Sequence, residues 1–431
     1  MSIGDYRERQ LDTHTLRRSL TWIQGTPMTI GAVLGSGILV LPAVTADISG
    51  PAALLAWLLM SLLSFPIALT LGALTAKLPH AGGIVAYARE AFGPSVGAIV
   101  GWLFLGTIPI GVPIVALIGS NYIGTVLGLT SWQVTLIGAG LVALSVTLNI
   151  RGVELAGWVQ VLVIALIAIL LTVAILAALP HVLINNFQPF APHGWWSVGF
   201  SAVMIFWCFV GWEMIAHLAE EFTNPKRDVP LSLALAALVI AVLYLAVAFV
   251  TIGTRAYGDH IGLAPLSMLV GAIFGRTAAA FTAVLALLIS FATIHTNIAG
   301  FSRMIYAQAR QGDFPKIFSK IHRTYQTPAA ALLGLAAVFA LVFLANFIFH
   351  PNLGTIIKWP SAIFIALYMI AMASGVKLFS IGTMNWWTAS ISLVVCMIIY
   401  GFSGWAMLFP LVLGVVGWMM SKRRYVVEVQ R

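Results

Sequence analysis

The stretch that decides the fold runs from Gly31 to Pro42 and reads Gly-Ala-Val-Leu-Gly-Ser-Gly-Ile-Leu-Val-Leu-Pro, in the middle of the first long apolar segment. Gly31, Gly35 and Gly37 weaken a helix, and Pro42 lacks the amide donor that a continuous helix needs. Unpaired backbone groups are costly in hydrocarbon, so an interrupted helix is stable only where protein or a wet cavity surrounds it. The stretch therefore predicts a helix that is broken inside a membrane.

Two interpretations of this break follow from the residues. The backbone amides of Ser36, Gly37 and Ile38 would open a second half-helix, whose positive end attracts an anion such as a substrate carboxylate. Alternatively, Gly31 and Gly35 have the small-xxx-small spacing that serves close packing between membrane helices. The stretch alone leaves both interpretations open.

Composition places the rest of the chain in the membrane as well. Of 431 residues, 61% are hydrophobic and 8% are charged, and the mean hydropathy is +1.01; soluble proteins contain roughly 25% charged residues. A membrane-spanning helix needs roughly 20 apolar residues. By that criterion the predicted spans lie near 21–47, 52–76, 96–121, 132–149, 157–179, 197–217, 231–253, 278–302, 328–349, 355–376, 382–400 and 403–420.

The basic residues agree with these twelve spans. Lys and Arg collect in cytoplasmic loops. If the N-terminus is cytoplasmic, all but three of the 22 Lys and Arg residues fall on the cytoplasmic side; the exceptions are Arg255, Arg276 and Lys358. Both termini are therefore predicted to be cytoplasmic. The net charge of +9 reflects this topology and requires no nucleic-acid partner.

The predicted organisation has four parts. Residues 1–20 form a cytoplasmic tail, 21–376 a ten-helix transport core with halves 21–179 and 197–376, 382–420 two peripheral helices, and 421–431 a second cytoplasmic tail. The two cysteines, Cys208 and Cys396, both fall inside spans, so the sequence offers neither a disulfide framework nor a cysteine-based metal site.

The sixth span contains a second interruption, Phe206-Trp207-Cys208-Phe209-Val210-Gly211-Trp212-Glu213. Glu213 is the acid that we place deep in the membrane, where an ionisable side chain is a functional candidate because burying its charge is so costly. The alternative is a neutral, hydrogen-bonded carboxyl group that only holds helices together. Trp207 and Phe209 are either packing residues or covers over an apolar ligand.

Spans one and six run in opposite directions, and both are interrupted. Such a pair is what an inverted five-helix repeat predicts for a transporter whose site lies at the bilayer midplane. In span three, Pro109 and Pro113 leave backbone carbonyls without a donor. The stretch from Ile108 to Pro113 therefore either lines the substrate cavity or faces lipid, where proline is also tolerated. Thr293 and His295 lie in span eight, where a lone histidine is more often a packing residue than a proton carrier.

Two segments outside the spans are predicted to be surface helices. Residues 79–93, with apolar Ile84, Tyr87 and Ala91, suggest either a re-entrant or surface helix at the inner mouth or a plain connecting helix. After span eight, apolar residues at i, i+3, i+4 and i+7 alternate with basic ones between Phe314 and Arg323. This second pattern predicts an amphipathic helix on the inner membrane surface.

Over nearly its whole length the sequence resembles the amino acid-polyamine-organocation (APC) transporters. The matching motifs are Gly35-Ser36-Gly37-Ile38, Pro79 to Gly93, Phe209-Val210-Gly211-Trp212-Glu213 followed by Glu220 to Pro230, and Ser302-Arg303-Met304-Ile305-Tyr306-Ala307. More narrowly, Gly101 to Phe104, Ile108 to Pro113 and Phe206 to Phe222 are similar to the bacterial exporters of L-methionine and branched-chain amino acids.

The resemblance implies an all-α, LeuT-like fold with discontinuous helices one and six. It places the substrate carboxylate on the amides of Ser36 to Ile38 and the amine near the carbonyls of Val33, Leu34 and Phe206 to Phe209. The predicted substrate-binding residues are Val33, Leu34, Gly35, Ser36, Gly37, Ile38, Ile108, Phe206, Trp207, Cys208, Phe209 and Gly211.

The resemblance also bears on coupling. In relatives the acid at Glu213 is tied to gating or protonation, whereas several carry a lysine in helix five where residues 157–179 here hold no charge. No cofactor or metal is predicted. The coupling ion is a proton through Glu213 or a sodium ion held by span-one carbonyls and hydroxyls such as Thr293.

The leading functional interpretation is a secondary transporter in the bacterial cytoplasmic membrane that exports methionine, leucine, isoleucine and valine by alternating access. Its partners would be the small-molecule substrate and membrane lipid. An importer or exchanger of another amino acid or amine is the alternative, although a basic substrate would need acids beyond Glu213. An integral-membrane enzyme is remoter because it needs paired catalytic groups, and a receptor or scaffold has no use for two broken helices.

Overall fold

The computed structural model describes residues 20–78, 83–152, 157–213, 222–258, 264–311, 314–349 and 353–429. These residues form α-helices joined by short loops and single 3₁₀ turns. The helices are α1 (Trp22–Val33), α2 (Leu41–Ser49), α3 (Ala53–Lys77), α4 (Gly83–Phe92), α5 (Pro94–Leu127), α6 (Ser131–Ile150), α7 (Gly157–Ala178), α8 (Trp196–Phe206), α9 (Pro225–Gly253), α10 (Pro265–Phe274), α11 (Arg276–Gln311), α12 (Ala329–Phe349), α13 (Leu353–Leu378), α14 (Met384–Gly401) and α15 (Leu408–Val429).

The protein is an all-α polytopic membrane protein, as its sequence predicts. Nine helical segments in the described ranges are long and apolar enough to cross a bilayer, and Trp196–Phe209 and Gly404–Met420 are shorter apolar helices. Large apolar side chains are exposed along these helices, for example Leu341 and Trp405, as expected for surfaces that face lipid. The count of twelve spans and the inverted repeat stay predictions.

The first predicted span is interrupted where its glycines and proline indicate. Helix α1 ends at Val33, Leu34 takes φ −72° and ψ 74°, and Gly35 is extended with φ −94° and ψ −173°. A 3₁₀ turn then covers Ser36–Leu39, and α2 resumes with Pro42 in its first turn, where a missing amide costs nothing. The predicted break in helix one is confirmed.

The sixth predicted span also leaves the helical conformation. Helix α8 ends at Phe206, a 3₁₀ turn covers Trp207–Phe209, and Val210 is extended. Gly211 has a φ of 125°, which non-glycine residues rarely adopt. The chain over 214–221, which includes Glu220 and the end of the predicted span, lies outside the described residues.

The two interruptions touch each other. A Cβ atom on Gly37 would lie 2.8 Å from the sulfur of Cys208, and one on Gly211 would overlap with the carbonyl oxygen of Ala32. Glycine therefore permits both close approaches. The backbone of each break packs directly on that of the other.

Long helices surround this contact. Helices α5 and α11 pack along each other and both contact the 3₁₀ turn at Ser36–Leu39, while α9 packs along α1 and α3. Helix α13 lies against α5 and α14, and α15 packs along α5. The broken segments are thus enclosed by protein, which is the condition under which irregular backbone is stable at membrane depth.

The two predicted surface helices have different outcomes. Residues 83–92 do form α4, which buries Ile84, Tyr87 and Ala91; residues 79–82 lie outside the described ones. The amphipathic helix predicted from Phe314 is wrong, because this segment forms only a 3₁₀ turn at Lys316–Ser319. Pro315 starts it in an extended conformation, and Phe314 packs on Trp102 instead, with ring centroids 4.7 Å apart.

The contact between the breaks predicts a strong effect of a small substitution. Gly211→Ala places a methyl group against the Ala32 carbonyl and forces an unfavourable φ, a strain of about 1–3 kcal/mol before the overlap is counted. We expect the melting temperature of the detergent-purified protein to fall by several degrees. Gly140→Ala is the matched control, because that helical glycine has open space around it; equal melting temperatures for the two variants would contradict the geometry.

Candidate functional site

The first break leaves polar groups without their helical partners. The amide of Gly35 turns back to the carbonyl of Val33 at 2.7 Å, and the amide of Val40 bonds to the carbonyl of Gly37 at 3.2 Å. The first amides of a helical turn have no partner within that turn. The hydroxyl of Ser36 is fully buried and has no hydrogen-bond partner among the described residues. Donors are thus available at the place predicted to hold a carboxylate.

A tyrosine on α9 joins the carbonyls of the two breaks. The hydroxyl of Tyr244 lies 3.1 Å from the carbonyl oxygen of Val33 and 3.1 Å from that of Cys208. Tyr244 is fully buried, so its single proton is shared between two acceptors in apolar surroundings. These are two of the carbonyls predicted to receive the substrate amine.

Tyr244 belongs to an aromatic cluster beside the breaks. Its ring meets Trp57 edge-on at a centroid distance of 5.6 Å and Phe209 edge-on at 5.2 Å. The indole N–H of Trp57 donates to the hydroxyl of Thr45 on α2 at 3.1 Å. Edge-to-face pairs of this kind contribute beyond their buried area, so the cluster holds α2, α3, α9 and the second break together.

Trp207 occupies the space between the first break and the long helix α5. Cβ atoms on Gly37 and on Gly111 would each lie 3.0 Å from its indole. The ring meets Phe364 of α13 edge-on, with centroids 5.9 Å apart. Ile108, fully buried on α5, precedes Gly111 by one helical turn. Trp207 is therefore placed by two glycines and one aromatic ring, at a position central to the helix bundle.

Glu213 is buried and bonded to the second break. Its Oε2 accepts a hydrogen bond from the hydroxyl of Tyr368 at 2.5 Å and another from the amide of Gly211 at 3.0 Å. Tyr368 lies on α13 and also meets the ring of Phe206 edge-on at 5.5 Å. The carboxyl group thus links α13 to the irregular segment of the sixth span.

The polar residues of α11 lie in a different environment. The Nδ1 atom of His295 lies 3.1 Å from the side-chain amide of Asn149 and 3.4 Å from the hydroxyl of Ser145. Its ring stacks on Phe291. These contacts support the packing interpretation of His295 and do not join it to Glu213. Thr293 is half-buried on the same helix, and its role as a sodium ligand stays a prediction.

A small cavity adjoins the first break on the side of α2. It is lined by residues of four helices and of the 3₁₀ turn in the first break, Ile38, Leu39, Pro42, Ala174, Thr251 and Leu266 among them. It has room for one water molecule at most, since a water requires roughly 10–15 Å³. The site is therefore closely packed in this conformation.

The structure gathers most of the predicted site residues around the contact between the breaks. Val33, Gly37, Trp207, Cys208 and Gly211 take part in the contacts described above, and Leu34, Ile38, Ile108, Phe206 and Phe209 are buried beside them. The sequence interpretation missed Trp57, Tyr122, Tyr244 and Tyr368. The available signal was a tyrosine within an apolar span, since a buried tyrosine hydroxyl normally finds a partner.

Comparison with known proteins gives the family. A family model described as amino acid permease matches residues 20–423. An uncharacterized amino acid permease of Bacillus subtilis, YecA, is 50% identical over 409 residues, which cover 95% of this chain and 96% of the relative. The chain belongs to the amino acid permease family, and the resemblance to the APC superfamily is confirmed.

Two further relatives are described by their substrates. The L-methionine/branched-chain amino acid exporter YjeH of Escherichia coli is 31% identical over 413 residues, covering 95% of this chain and 97% of that protein. The branched-chain amino acid permease BcaP of Bacillus subtilis is 24% identical over 360 residues, covering 79% and 77%. These relatives are amino acid transporters by description, and the protein is accordingly an amino acid transporter and not an enzyme.

The bridging hydroxyl predicts a measurable effect on stability. Tyr244→Phe keeps the aromatic cluster but leaves the carbonyls of Val33 and Cys208 one donor short, a loss of about 1–3 kcal/mol. We expect a lower melting temperature. The matched control is Tyr87→Phe, because the hydroxyl of Tyr87 bonds to Thr75, which retains its own bond to the carbonyl of Leu71. A smaller decrease for Tyr244→Phe than for this control would argue against the bridge.

Proposed function

We propose that this transporter exports neutral apolar L-amino acids, namely methionine, leucine, isoleucine and valine, across the bacterial cytoplasmic membrane. Both termini would be cytoplasmic, and transport would be coupled to a proton. The observation that carries the proposal is the buried hydroxyl of Ser36, which has no partner among the described residues and lies at the start of the turn whose amides are free to bind a carboxylate.

The carboxylate would be held by the Ser36 hydroxyl and the amides of Ser36 to Ile38. Hydrogen bonds to a charged group are roughly twice as strong as those between neutral groups. A buried donor without a partner is costly. A substrate carboxylate would therefore gain binding free energy both from the charge-assisted hydrogen bond and from pairing the buried Ser36 hydroxyl. This is the reason for a carboxylate rather than an apolar ligand at this point.

The amine would bind to carbonyl oxygens of the breaks. Tyr244 already brings the carbonyls of Val33 and Cys208 to within 3.1 Å of one donor atom. A carbonyl oxygen has two lone pairs, and that of Val33 also accepts from the amide of Gly35 at 2.7 Å, so the ammonium group would replace the Tyr244 hydroxyl at Val33 and could join it at Cys208. Both ends of a zwitterion thus find complementary backbone groups within one pair of breaks.

The substrate side chain would lie among Leu34, Ile108, Phe206, Trp207 and Phe209. These walls are apolar, which suits a thioether or branched alkyl chain and offers nothing to a cationic one. The nearby acid, Glu213, already accepts bonds from Tyr368 and Gly211. That arrangement supports a neutral substrate over a basic one. The outward direction is taken from the relative described as an exporter.

Transport would follow the rocking of one helix group against the other. Hydrogen bonds support a common movement of the broken helices, since the hydroxyls of Ser49 on α2 and Ser201 on α8 lie 2.6 Å apart. Tyr244 adds the link to α9. The rest of the bundle, with α5 and α11 packed along each other, would serve as the stationary scaffold.

Binding and efflux provide the test of substrate. We expect methionine and leucine to raise the melting temperature of the purified protein, because a ligand of the folded state stabilises it by mass action. Ser36→Ala should raise the half-maximal concentration about tenfold or more, the loss of one bond to a charged group. The matched control is Ser392→Ala, which removes another buried hydroxyl, on α14, that has no partner in the part of the chain that the structure describes.

Proteoliposomes loaded with labelled methionine should lose it faster than protein-free vesicles. Excess leucine should compete with methionine, whereas excess arginine should not. Equal efflux from both kinds of vesicle would refute methionine as a substrate, and competition by arginine alone would assign a basic substrate instead.

The role of Glu213 is tested by Glu213→Gln. The amide oxygen can still accept the bond from Tyr368, so we expect a folded protein that exchanges substrate but no longer responds to an imposed pH gradient. Glu90→Gln, an exposed acid on α4, is the control. Should the pH response of Glu213→Gln equal that of the wild type, proton coupling through this residue is excluded and a sodium gradient becomes the next test.

A further inference from the structure

One buried hydroxyl connects the first break to a helix outside the substrate region. The hydroxyl of Tyr122, near the end of α5, donates to the carbonyl oxygen of Leu39 at 2.6 Å and accepts from the amide of Leu266 at 3.3 Å. Tyr122 is fully buried. Leu39 ends the 3₁₀ turn of the break, and Leu266 lies in the first turn of α10.

Both backbone groups need this hydroxyl for structural reasons. The carbonyl of Leu39 lies where the 3₁₀ turn gives way to α2, so regular helical pairing does not continue past it. Helix α10 begins with Pro265, which has no amide, so the amide of Leu266 is the first donor that the helix presents. The hydroxyl of Tyr122 thus supplies both the donor for the Leu39 carbonyl of the 3₁₀ turn and the acceptor for the Leu266 amide of α10.

The small cavity described above lies beside this hydrogen-bond pair. Ile38 and Leu39 line it from the break, Pro265 and Leu266 from α10, and Thr251 from the end of α9. A withdrawal of α10 would widen this cavity into a path to the break.

Tyr122 and Leu39 are buried, whereas Met268 and Phe274 of α10 are exposed, so α10 lies between the break and the protein surface. Leu20 pairs with Phe222 just before α9 begins, so the Thr251 end of α9 and the adjoining α10 are on the face opposite the N-terminus.

We propose that Tyr122 is a latch residue that holds α10 closed over the broken helix on the face opposite the termini. The hydrogen bonds of Tyr122 stabilise the closed state more than the open one. Once α10 has moved away, water can bond to the Leu39 carbonyl and the Leu266 amide, whereas in the closed state the apolar surroundings offer these groups no partner other than Tyr122. Tyr122 acts as a positioning residue and does not touch substrate. The inference rests on the proposed alternating access, but its test requires no substrate.

Cys208 provides a native reporter of opening. Its sulfur lies against Gly37 at the first break, and the thiol is buried. In a Cys396→Ser background it is the remaining thiol of the chain. We would measure its rate of modification by a membrane-impermeant, quaternary-ammonium methanethiosulfonate reagent, in vesicles of both orientations.

Tyr122→Phe should accelerate modification of Cys208 about three- to tenfold, the effect of losing one neutral hydrogen-bond pair in the closed state. The acceleration should occur only from the face opposite the termini. Tyr400→Phe is the matched control, because it removes a tyrosine-to-carbonyl bond of the same kind, to Met407 between α14 and α15, and should leave the rate unchanged.

A second variant guards against misfolding of the first. Leu266→Pro removes the amide donor of the pair, and Leu266→Ala is its control, because it keeps that amide but also loses the buried leucine side chain. Leu266→Pro should accelerate the reaction from the same face by more than Leu266→Ala does. If either Tyr122→Phe or Leu266→Pro retains its melting temperature and shows an unchanged rate of Cys208 modification, the latch is overturned. Acceleration from both faces would also overturn it, because it indicates a general loosening of the structure. Neither result depends on the substrate tests at Ser36, so the two proposals fail separately.

Discussion

Every buried backbone donor or acceptor that a broken helix gives up must find another partner, and the architecture of this transporter follows from that requirement. Water cannot meet it in an apolar environment, where each unpaired group costs several kcal/mol. Here tyrosine hydroxyls meet it from three helices: Tyr122 on α5, Tyr244 on α9 and Tyr368 on α13. The helices that surround the breaks thus also supply hydrogen-bond partners to several of their backbone groups.

The same requirement explains why the site is selective for a zwitterion in our proposal. The tyrosines satisfy carbonyl groups of Val33, Leu39 and Cys208, whereas the hydroxyl of Ser36 remains without a partner among the described residues. A substrate must therefore bring an acceptor for the donors at Ser36 and a donor for the carbonyls opposite. Membership of the amino acid permease family agrees with a ligand that has one group of each kind.

Local signals in the sequence were sufficient to predict the two helix breaks but not the side chains that hydrogen-bond to them. Gly35, Gly37 and Pro42 act on their own stretch of chain, so the interruption could be predicted from residue type alone. Partners such as Tyr368 for Glu213 are 155 residues apart, and no periodicity reveals them. The error at Phe314 has the same origin, since its pattern favoured a helix but contact with the distant Trp102 and the adjacent Pro315 decided the conformation.

The pairing of Tyr244 with main-chain oxygens has a consequence for protein engineering. Because every amino acid carries a carbonyl group, the bridge between the breaks does not depend on which side chains stand at positions 33 and 208. In the proposed pocket, the side chains of Leu34 and Ile108 take no part in these hydrogen bonds, whereas Phe209 packs on Tyr244 and Phe206 on Tyr368. Leu34 and Ile108 are therefore the wall positions at which an exchange of side chain leaves the bridging bonds in place.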